Sequence, residues 1–400
     1  MAVNSMSFKQ SATLINDVLK QMTGEEAIAP VDEAEFVAVG TTLLQTGYDA
    51  LNTAVSQVLS RSIYSSRAYD PIYPSIERDS IQWGGIVRKV TTLDLEFMDD
   101  KGYNVADGNG ITDCDPFLVN RQKAVQFNWY GGNTKELLVT VTEQQLRQAF
   151  SSSAEFGSFM AAQAQNLVNQ INQKIEAESR ITVNNMIGAA LEEGGDRVIH
   201  LLSEYKDETG NETITADNYL SVDEFEPFAK WFYGRLNTLK RFMAERTGKY
   251  HQNITTYNGV SLTKPIMRHT PEQYLNIFML SQFMDQVDSS ALSGIYNQQL
   301  LSIGGYERVN YWQSIDNPSS INVIPNVLNT DGTCFKYEQG VNASGIVGIL
   351  FDDEALGITV MNEDVRSIEN PRGRYFNNWY NWVCRFYNDQ TENFVVLMLD

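Results

Sequence analysis

The sequence has few residues of the kinds that form disulfides, metal sites or nucleophilic catalytic sites. Its 400 residues include only three cysteines and three histidines: Cys114, Cys334, Cys384, His200, His251 and His269. The cysteines are far apart and form no CxxC pair, which argues against a disulfide framework or a zinc ribbon and favours reduced thiols. No histidine is spaced to chelate a metal with another histidine or with a pair of carboxylates. We therefore expect no metal, no other cofactor and no histidine-dependent catalysis.

Long apolar runs are also lacking. The first residues, MAVNSMSFKQ, contain no apolar signal core. Nowhere does the sequence reach the run of about 18 apolar residues that a membrane-spanning helix needs. We therefore expect a protein with no membrane partner that is made and used in a cytoplasm, or released from it by lysis.

Basic residues are outnumbered by acidic ones. The chain has 30 Lys and Arg against 50 Asp and Glu, so its formal net charge is −20 at pH 7. Affinity for nucleic acid depends mainly on Lys and Arg, so this excess of acidic residues argues against a protein that binds the phosphates of nucleic acids. It favours solubility and weak adhesion to polyanions.

Apolar residues, in contrast, are abundant. Hydrophobic residues make up 42% of the chain and aromatic residues 11%, which excludes wholesale disorder. A chain of this length allows two or three structural units with a sizeable core.

The longest predicted element is one helix over Ser152–Leu191. Ser152 and Glu155 form a capping box, no proline interrupts the stretch, and Gly194-Gly195 follows it. Apolar residues recur on one side at helical spacing: Phe159, Met160, Leu167, Val168, Ile171, Ile175, Val183, Met186, Ile187, Ala190 and Leu191. At 1.5 Å per residue such a helix spans about 60 Å, so it needs neighbours along its whole length.

The polar side of this helix carries amides where a solvated helix usually carries charges. These amides are Gln163, Gln165, Asn166, Asn169, Gln170, Asn172 and Gln173. Amides pair without the desolvation cost of charges, which suits a surface covered by another chain. A long, partly exposed core helix of a monomer is the alternative, and the stretch by itself favours neither.

Two helical stripes are predicted within residues 1–68. They cover Leu14–Met22 and Leu43–Leu59, and isolated amphipathic helices of this size are marginal in water. Both must therefore dock on something.

A two-stranded excursion is predicted over residues 80–130. Leu93–Phe97 and Val125–Trp129 alternate as strands do, and the Gly- and Asp-rich residues Lys101–Asp115 form an irregular tip between them. An excursion like this has little core of its own, so it needs a partner surface.

The second half of the chain predicts a helix and then a compact α/β unit. After the strand Leu137–Val141 and the capping box Thr142–Gln145, a basic, aromatic helix covers about Val222–Arg246. We interpret its basic face as pairing with acids of the same or a neighbouring subunit rather than with a polyanion. From about residue 260, apolar runs at Leu275–Leu280, Ile321–Ile324, Ile346–Phe351 and Phe394–Leu399 indicate a small sheet with helices.

Two acidic stretches are candidates for a calcium site and for a catalytic carboxylate pair, respectively. Asp107–Asp113 superficially resembles a calcium loop, but it lacks the regular oxygen series and closing Glu of an EF-hand, so a flexible tip explains it better. Asp352–Glu354 together with Glu363-Asp364 offers the carboxylate pair of a glycoside hydrolase, with Trp312, Trp379 and Trp382 as sugar platforms. Carboxylates are plentiful in so acidic a chain, so this hydrolase is the minor alternative.

The order of the predicted parts resembles a known family. A helical arm, a long β excursion, a very long helix and an α/β unit follow one another as in the major capsid proteins of tailed double-stranded-DNA bacteriophages, the Hong Kong 97-type fold. The C-terminal stretches Pro371–Trp382 and Asn388–Leu397 are similar to the closing strands of short-tailed podovirus capsid proteins, and Leu275–Phe283 is similar to part of their axial domain.

This resemblance implies an α+β, Hong Kong 97-like architecture in four parts. These are an N-terminal arm (1–70), an extended β-hairpin loop (71–135), a peripheral domain with a spine helix at about 152–191 (136–258), and an axial α/β domain with the closing strands (259–400). The family implies no catalytic residue, so we expect no enzyme.

The resemblance also implies the function and partners. We expect a structural protein that assembles through hexamers and pentamers into an icosahedral head shell. Scaffolding, portal and possible decoration proteins are the implied partners, and the shell encloses double-stranded DNA without sequence-specific binding. The expected subunit contacts are Leu14, Val18, Trp83, Leu95, Phe97, Lys101, Phe127, Trp129, Gln163, Asn166, Gln170 and Gln173. A portal, tail or minor head protein is the structural alternative.

Overall fold

A computed structural model of the chain describes residues 12–13, 15–18, 20, 35–40, 73–78, 87–95, 119, 121–130, 133–262, 264–292 and 305–400. The predicted stripe Leu43–Leu59 and the predicted tip Lys101–Asp115 lie outside these residues. The described residues within 12–20 are helical, as predicted there, and so are residues 35–40.

The described helices and strands follow one another in this order. They are β1 (Val87–Thr92), β2 (Ala124–Trp129), β3 (Asn133–Thr142), α1 (Glu143–Ala149), α2 (Ser153–Glu193), β4 (Val198–His200), α3 (Leu201–Thr209), α4 (Val222–Ala244), β5 (Thr256–Tyr257), β6 (Val260–Ser261), β7 (Leu275–Leu280), α5 (Ser281–Leu292), β8 (Glu307–Val309), β9 (Ile321–Val323), β10 (Asn326–Leu328), β11 (Cys334–Lys336), β12 (Val341–Ala343), β13 (Ile346–Asp352), β14 (Leu356–Asn370), β15 (Tyr375–Asn388) and β16 (Phe394–Met398). The chain divides into two compact units. Unit 1 comprises Met1–Trp83, Gly132–Ser179 and Ile358–Phe386, and unit 2 comprises Gly84–Gly131, Arg180–Gly357 and Tyr387–Asp400.

Unit 2 is organised around a five-stranded sheet with the strand order β4-β16-β13-β7-β8. The central strand β13 runs antiparallel to both neighbours, and the two outer pairs are parallel. Every residue of β13 and of β16 is buried, because other elements cover both faces of the sheet. Helix α5 packs against β7 and against α4, and the Phe232 and Phe283 rings of these two helices meet edge to face at 5.2 Å.

One close approach in this sheet depends on glycine. Gly348 lies in β13 beside β7, and a Cβ atom there would stand 2.3 Å from the Met279 sulfur. A larger residue there would displace the Met279 side chain and crowd the Phe278 carbonyl oxygen, 3.0 Å away.

Unit 1 contains a three-stranded sheet with the order β14-β15-β3. The β15–β3 register runs antiparallel from Tyr375–Thr142 to Cys384–Asn133. Lys135 of β3 forms an ion pair of 2.9 Å with Glu178 of α2, whose carboxylate is buried. The rings of Phe36, Phe150 and Phe156 cluster at centroid distances of 5.1–5.7 Å around the start of α2.

The long helix α2 is divided between the two units: residues 153–179 belong to unit 1 and residues 180–193 to unit 2. It covers Ser153–Glu193, within two residues of the prediction, and stops at Gly194 and Gly195, which both have positive φ. The predicted capping box at Thr142 and Gln145 is also present, because the Gln145 N–H donates to the Thr142 hydroxyl and the Gln145 side chain accepts from the Thr142 N–H.

The sequence-based strand at Leu93–Phe97 is wrong. The strand is Val87–Thr92, and Leu93–Leu95 follow its end. The inward side chains of this strand include Lys89 and Thr91, which bond to polar groups, so the apolar–polar alternation that marks a strand is absent there.

Several further elements were not predicted, among them α3 and β14. Helix α3 occupies residues 201–209 and buries only Leu201, Leu202 and Tyr205, so it carries too short an apolar pattern to be recognised in the sequence. The long strand β14 was missed, and β15 with it belongs to the sheet of unit 1 rather than to that of unit 2. The four-part division inferred from the sequence remains a prediction.

Candidate functional site

The β1–β2 hairpin is the described part of the predicted excursion. The two strands pair antiparallel, with Val87 opposite Trp129 and Thr92 opposite Ala124. The side chains of Lys89, Thr91 and Leu93 reach other parts of unit 2, whereas Val90 is 57% exposed. The hairpin therefore has one face bound to its own unit and one face open.

The bound face is held by ion pairs centred on Lys89. Its Nζ lies 2.5 Å from Glu392, 3.0 Å from Asp389 and 2.9 Å from Glu354. The Asp389 and Glu392 side chains are only 1% and 7% exposed, so water screens these pairs weakly. Arg268 adds a second cation 3.1 Å from Glu392.

Arg268 also ties the strand to the chain's C-terminal turn. Its guanidinium donates to the Thr91 hydroxyl at 3.0 Å and to the Thr391 carbonyl at 2.9 Å. Asp389 holds that turn by accepting from the Thr391 N–H at 3.0 Å and from its hydroxyl at 2.6 Å. Strand β1 and the turn before β16 are thus joined by a network of charged hydrogen bonds.

An apolar cluster lies beside this network. Leu93 and Val125 from the hairpin are buried with Ile254, Ile266 and Leu328. Phe127, Tyr257 and Leu262 pack against the cluster. Burying these side chains contributes about 1.5–3 kcal/mol each, so the hairpin base is held by packing as well as by charge.

The end of β2 is fixed by Trp129. Its indole N–H donates to the Asn388 carbonyl at 3.2 Å, and its ring lies 5.5 Å from that of Tyr387. Asn388 in turn donates from its side chain to the Thr182 carbonyl at 3.1 Å. The hairpin base is therefore rigidly oriented in unit 2.

Glu392 is the member of the Lys89 cluster whose pKa is shifted toward neutral pH. Burial raises the pKa of the Glu392 carboxyl to about 7, although Lys89 and Arg268 favour its charged form and Asp389 opposes it. The pKa of Lys89 is also raised, because its attraction to Asp389 and Glu392 outweighs the effect of burial.

We predict that the Glu392→Gln variant loses part of the pH dependence of folding stability. Because the folded pKa of Glu392 is above its unfolded value of 4.5, folding takes up a proton between about pH 4.5 and 7. In the wild type this group therefore lowers the free energy of unfolding by about 3 kcal/mol as pH rises through that window. Urea denaturation of both proteins at pH 5 and pH 8 measures the difference. Identical pH slopes would contradict the raised pKa.

The predicted subunit-contact residues outside α2 fall into three groups. Leu14, Trp83, Phe97 and Lys101 lie outside the described residues. Val18 is fully buried, and Phe127 and Trp129 pack partly within unit 2, as described above. Leu95 is 46% exposed, so part of its side chain is accessible to a neighbouring subunit.

The amide face of α2 remains largely open. Asn166, Gln170 and Gln173 are exposed and Gln163 is half-buried. The Gln170 side chain donates to the side-chain oxygen of Asn166 at 3.0 Å. These amides are therefore not packed inside one subunit, which keeps the prediction of an intersubunit surface open.

The carboxylates considered for hydrolysis have structural roles. Asp352 is buried and accepts from the Thr270 hydroxyl at 2.7 Å and the Glu354 N–H at 2.9 Å. Asp353 accepts from the Asn276 side chain at 3.2 Å, and Glu354 pairs with Lys89. The Glu363 side chain and the calcium-like loop Asp107–Asp113 lie outside the described part of the chain.

The basic helix α4 pairs with acids of its own unit. Arg235 makes two hydrogen bonds to Glu204 at 2.6 and 2.9 Å, and Lys230 pairs with Glu226 at 2.7 Å. These contacts support the interpretation of this face as an intramolecular one.

Neither a metal site nor a membrane span is found among the described residues. There, no group of three or more His, Cys, Asp and Glu side chains is arranged to hold an ion. No helix in that part of the chain combines the length and apolarity needed to cross a bilayer.

His251 is a core residue. Its Nε2 lies 2.7 Å from the Ile266 carbonyl and its Nδ1 lies 3.3 Å from the Asn393 side chain. Burial lowers its pKa, so the ring is neutral at physiological pH.

Comparison with known proteins decides the family. A model of the Phi29-like phage major capsid protein family matches residues 13–398. The chain belongs to this family. A search of curated proteins finds no match.

Solved structures agree with the fold of this capsid protein. A chain in the capsid structure of Staphylococcus phage Andhra has a TM-score of 0.50 at 10% identity, with 81% of this chain and 83% of that chain covered. A chain in the structure of head fiber and inner core protein gp22 of native bacteriophage P68 has a TM-score of 0.50 at 9% identity, with coverage of 83% and 86%. The predicted Hong Kong 97-like, mixed helix-and-sheet class is confirmed.

Family membership also decides between the functional alternatives. The protein is a structural component of a phage capsid, as predicted, and it is not an enzyme. The interactions that orient the β1–β2 hairpin were not predicted. The sequence around each residue involved does not indicate which residue it contacts. These residues are Lys89, Arg268, Asp389, Glu392 and Tyr257.

Proposed function

We propose that this capsid protein self-assembles through hexamers and pentamers into the icosahedral head shell that encloses the phage genome. Assembly takes place in the cytoplasm of the bacterial host. Scaffolding, portal and possible decoration proteins take part, and the packaged double-stranded DNA is enclosed without sequence-specific contacts. The net charge of −20 supports the last point, because a wall of the same sign as DNA does not adhere to it.

The β1–β2 hairpin is the element that we assign to subunit contact. The observation that carries this assignment is the combination of a rigid base and exposed apolar side chains. Val90, Leu95, Val119 and Tyr130 are 46–71% exposed, although the bound face of the same hairpin is fixed by charge and packing. A hairpin that is held at its base and carries exposed apolar side chains fits an element that lies over the adjacent subunit.

The four-part organisation gives each segment a role in this assembly. In the proposed scheme, residues 1–70 are the arm, 71–135 the extended loop, 136–258 the peripheral domain and 259–400 the axial domain. Helix α2 is the spine, with the amides of Gln163, Asn166, Gln170 and Gln173 at an intersubunit or inner surface. The exposure of three of these amides supports this position.

Deleting Lys101–Asp113 tests the role of the hairpin. We expect the variant to lose shell assembly while unit 2 stays folded, because the Lys89 network and the apolar cluster are outside the deletion. Sedimentation and electron microscopy measure assembly, and circular dichroism with a thermal melt measures folding. A Gly-Ser segment of equal length in place of the same residues separates loss of side chains from shortening of the loop. Shells of normal size from the deletion variant would show that the assignment is wrong.

A further inference from the structure

A two-residue turn, Asn258-Gly259, joins the short strands β5 and β6. Both residues have positive φ, 50° and 75°, as a type I′ hairpin turn requires. Each strand has only two residues, and Tyr257 is paired with Val260. So small a hairpin has little pairing of its own, so this turn opens more easily than a segment inside a long ladder.

The turn leaves its reactive groups open to water. Asn258 and Gly259 are exposed, and a Cβ atom at Gly259 would meet no atom within 4 Å. Within the part of the chain that the structure describes, neither the Asn258 side chain nor the Gly259 N–H has a hydrogen-bond partner. Glycine also places no side chain beside its own nitrogen. The Gly259 nitrogen is therefore free to approach the side-chain carbonyl carbon of Asn258.

This arrangement suits an intramolecular ring closure, the reaction that makes asparagine a thermolabile residue. The Gly259 nitrogen loses its proton and bonds to Asn258 Cγ, and ammonia leaves as the bond between Cγ and the side-chain nitrogen breaks. Water then opens the five-membered imide at either of its carbonyls. One opening gives an aspartate, and the other gives an isoaspartate, in which the backbone runs through the former side chain. The whole conversion consumes one water and releases one ammonia.

The turn lies next to a contact that holds the β1–β2 hairpin. Tyr257 precedes Asn258, and its hydroxyl accepts from the Gln126 N–H at 3.2 Å and donates to the Gln126 carbonyl at 2.9 Å. The Tyr257 side chain also packs against the apolar cluster at the hairpin base. An isoaspartate inserts one more carbon into the backbone of the turn, which disrupts the pairing of Tyr257 with Val260.

We propose that Asn258 is a site of spontaneous deamidation, and that isoaspartate formation there weakens the contact of Tyr257 with β2. The reaction needs no enzyme, so its product accumulates with the age of the protein. It does not depend on self-assembly, because every group involved belongs to unit 2 of one chain. Each conversion also adds one negative charge to the chain.

Ageing the purified full-length protein in mildly alkaline buffer tests the reaction. Peptide mapping by mass spectrometry measures conversion at each asparagine, and labelling with an isoaspartyl methyltransferase measures isoaspartate. We expect Asn258 to convert at least about tenfold faster than Asn342, which is also exposed but lies in the paired strand β12 and precedes an alanine. Equal rates at the two residues would overturn the proposal.

Asn258→Gly is the matched control variant. Glycine adopts the positive φ of this position without strain, so we expect the variant to fold as the wild type does. We expect isoaspartate to disappear from the peptide that contains this position. The same peptide includes Asn253, whose side chain is held by a hydrogen bond of 2.6 Å to the Gly248 carbonyl. Isoaspartate that forms in the variant peptide at the wild-type rate would assign the reaction to Asn253 and contradict the proposal.

Hydrogen exchange tests the effect on Tyr257. Anion exchange separates the aged wild-type chain by its added charge, and peptide mapping identifies the fraction with isoaspartate at position 258. We expect the Gln126 amide to exchange at least about threefold faster in that fraction than in fresh protein. The Asp352 amide, which donates to the Asn393 carbonyl at 2.9 Å, keeps its rate, and so does Gln126 in equally aged Asn258→Gly. Unchanged exchange at Gln126 in the isoaspartate fraction would overturn the effect on the hairpin.

Discussion

Trp312→Ala is expected to destabilise unit 2 by about 3–5 kcal/mol, close to the whole stability of many domains. Trp312 is completely buried, and its indole N–H donates to the Ile346 carbonyl at 2.9 Å. The Asn184 side chain donates to its backbone carbonyl at 2.9 Å. The substitution leaves a large cavity and an unpaired buried carbonyl at the start of the central strand β13.

Two matched variants divide this effect into its parts. Trp312→Phe keeps most of the ring and loses the hydrogen bond, so we expect a loss of about 1–2 kcal/mol. Ile315→Ala lies in the same loop at a side chain that is 75% exposed, and we expect a change within about 0.5 kcal/mol. Urea denaturation of the dissociated subunit measures all three. A loss below about 1 kcal/mol for Trp312→Ala would contradict its place in the core.

Lys89→Met is expected to cost about 3–5 kcal/mol of folding stability. The substitution keeps the length of the side chain but removes the charge, so Asp389 and Glu392 stay buried with only Arg268 nearby. An uncompensated buried carboxylate is the main source of the cost, because burial disfavours the charged form. We expect the loss to be largest above pH 7 and to shrink toward pH 5, as Glu392 takes up a proton.

Lys230→Met is the matched control for this substitution. Lys230 pairs with Glu226 one helical turn away, and the two side chains are 48% and 44% exposed. Exposed pairs of this kind are worth about 0.3–0.5 kcal/mol. Denaturation curves of both variants at pH 8 measure the contrast. If the two substitutions cost the same, the Lys89 network does not hold the hairpin.

Regular elements with strong patterns were predictable. The apolar periodicity, the absence of proline and the Gly194-Gly195 stop gave α2 to within two residues, and the run Leu275–Leu280 matches β7. In these segments local propensity and burial indicate the same conformation.

The attachment of the hairpin was not predictable from the sequence. Lys89 and Glu392 are 303 residues apart, and neither residue type marks a buried contact in a chain with 50 acids. The polar residues Lys89 and Thr91 occupy the inward positions of β1, which removes the alternation that identifies a strand. The strand therefore seemed to begin at Leu93, one residue after it ends.

The contact of Tyr257 with the backbone of β2 was also not predictable. The Tyr257 hydroxyl donates to the Gln126 carbonyl over a separation of 131 residues. A one-residue change in the β1–β2 register would exchange the backbone groups that face outward, and no local sequence pattern gives that register.

Electron microscopy of the expressed chain, together with its sedimentation, tests self-assembly most directly. We predict closed shells or capsomers of hexamers and pentamers, in equilibrium with few free subunits. A chain that remains a 45.1 kDa monomer at every concentration and ionic strength, while staying folded, would contradict assembly of this protein into a shell by itself.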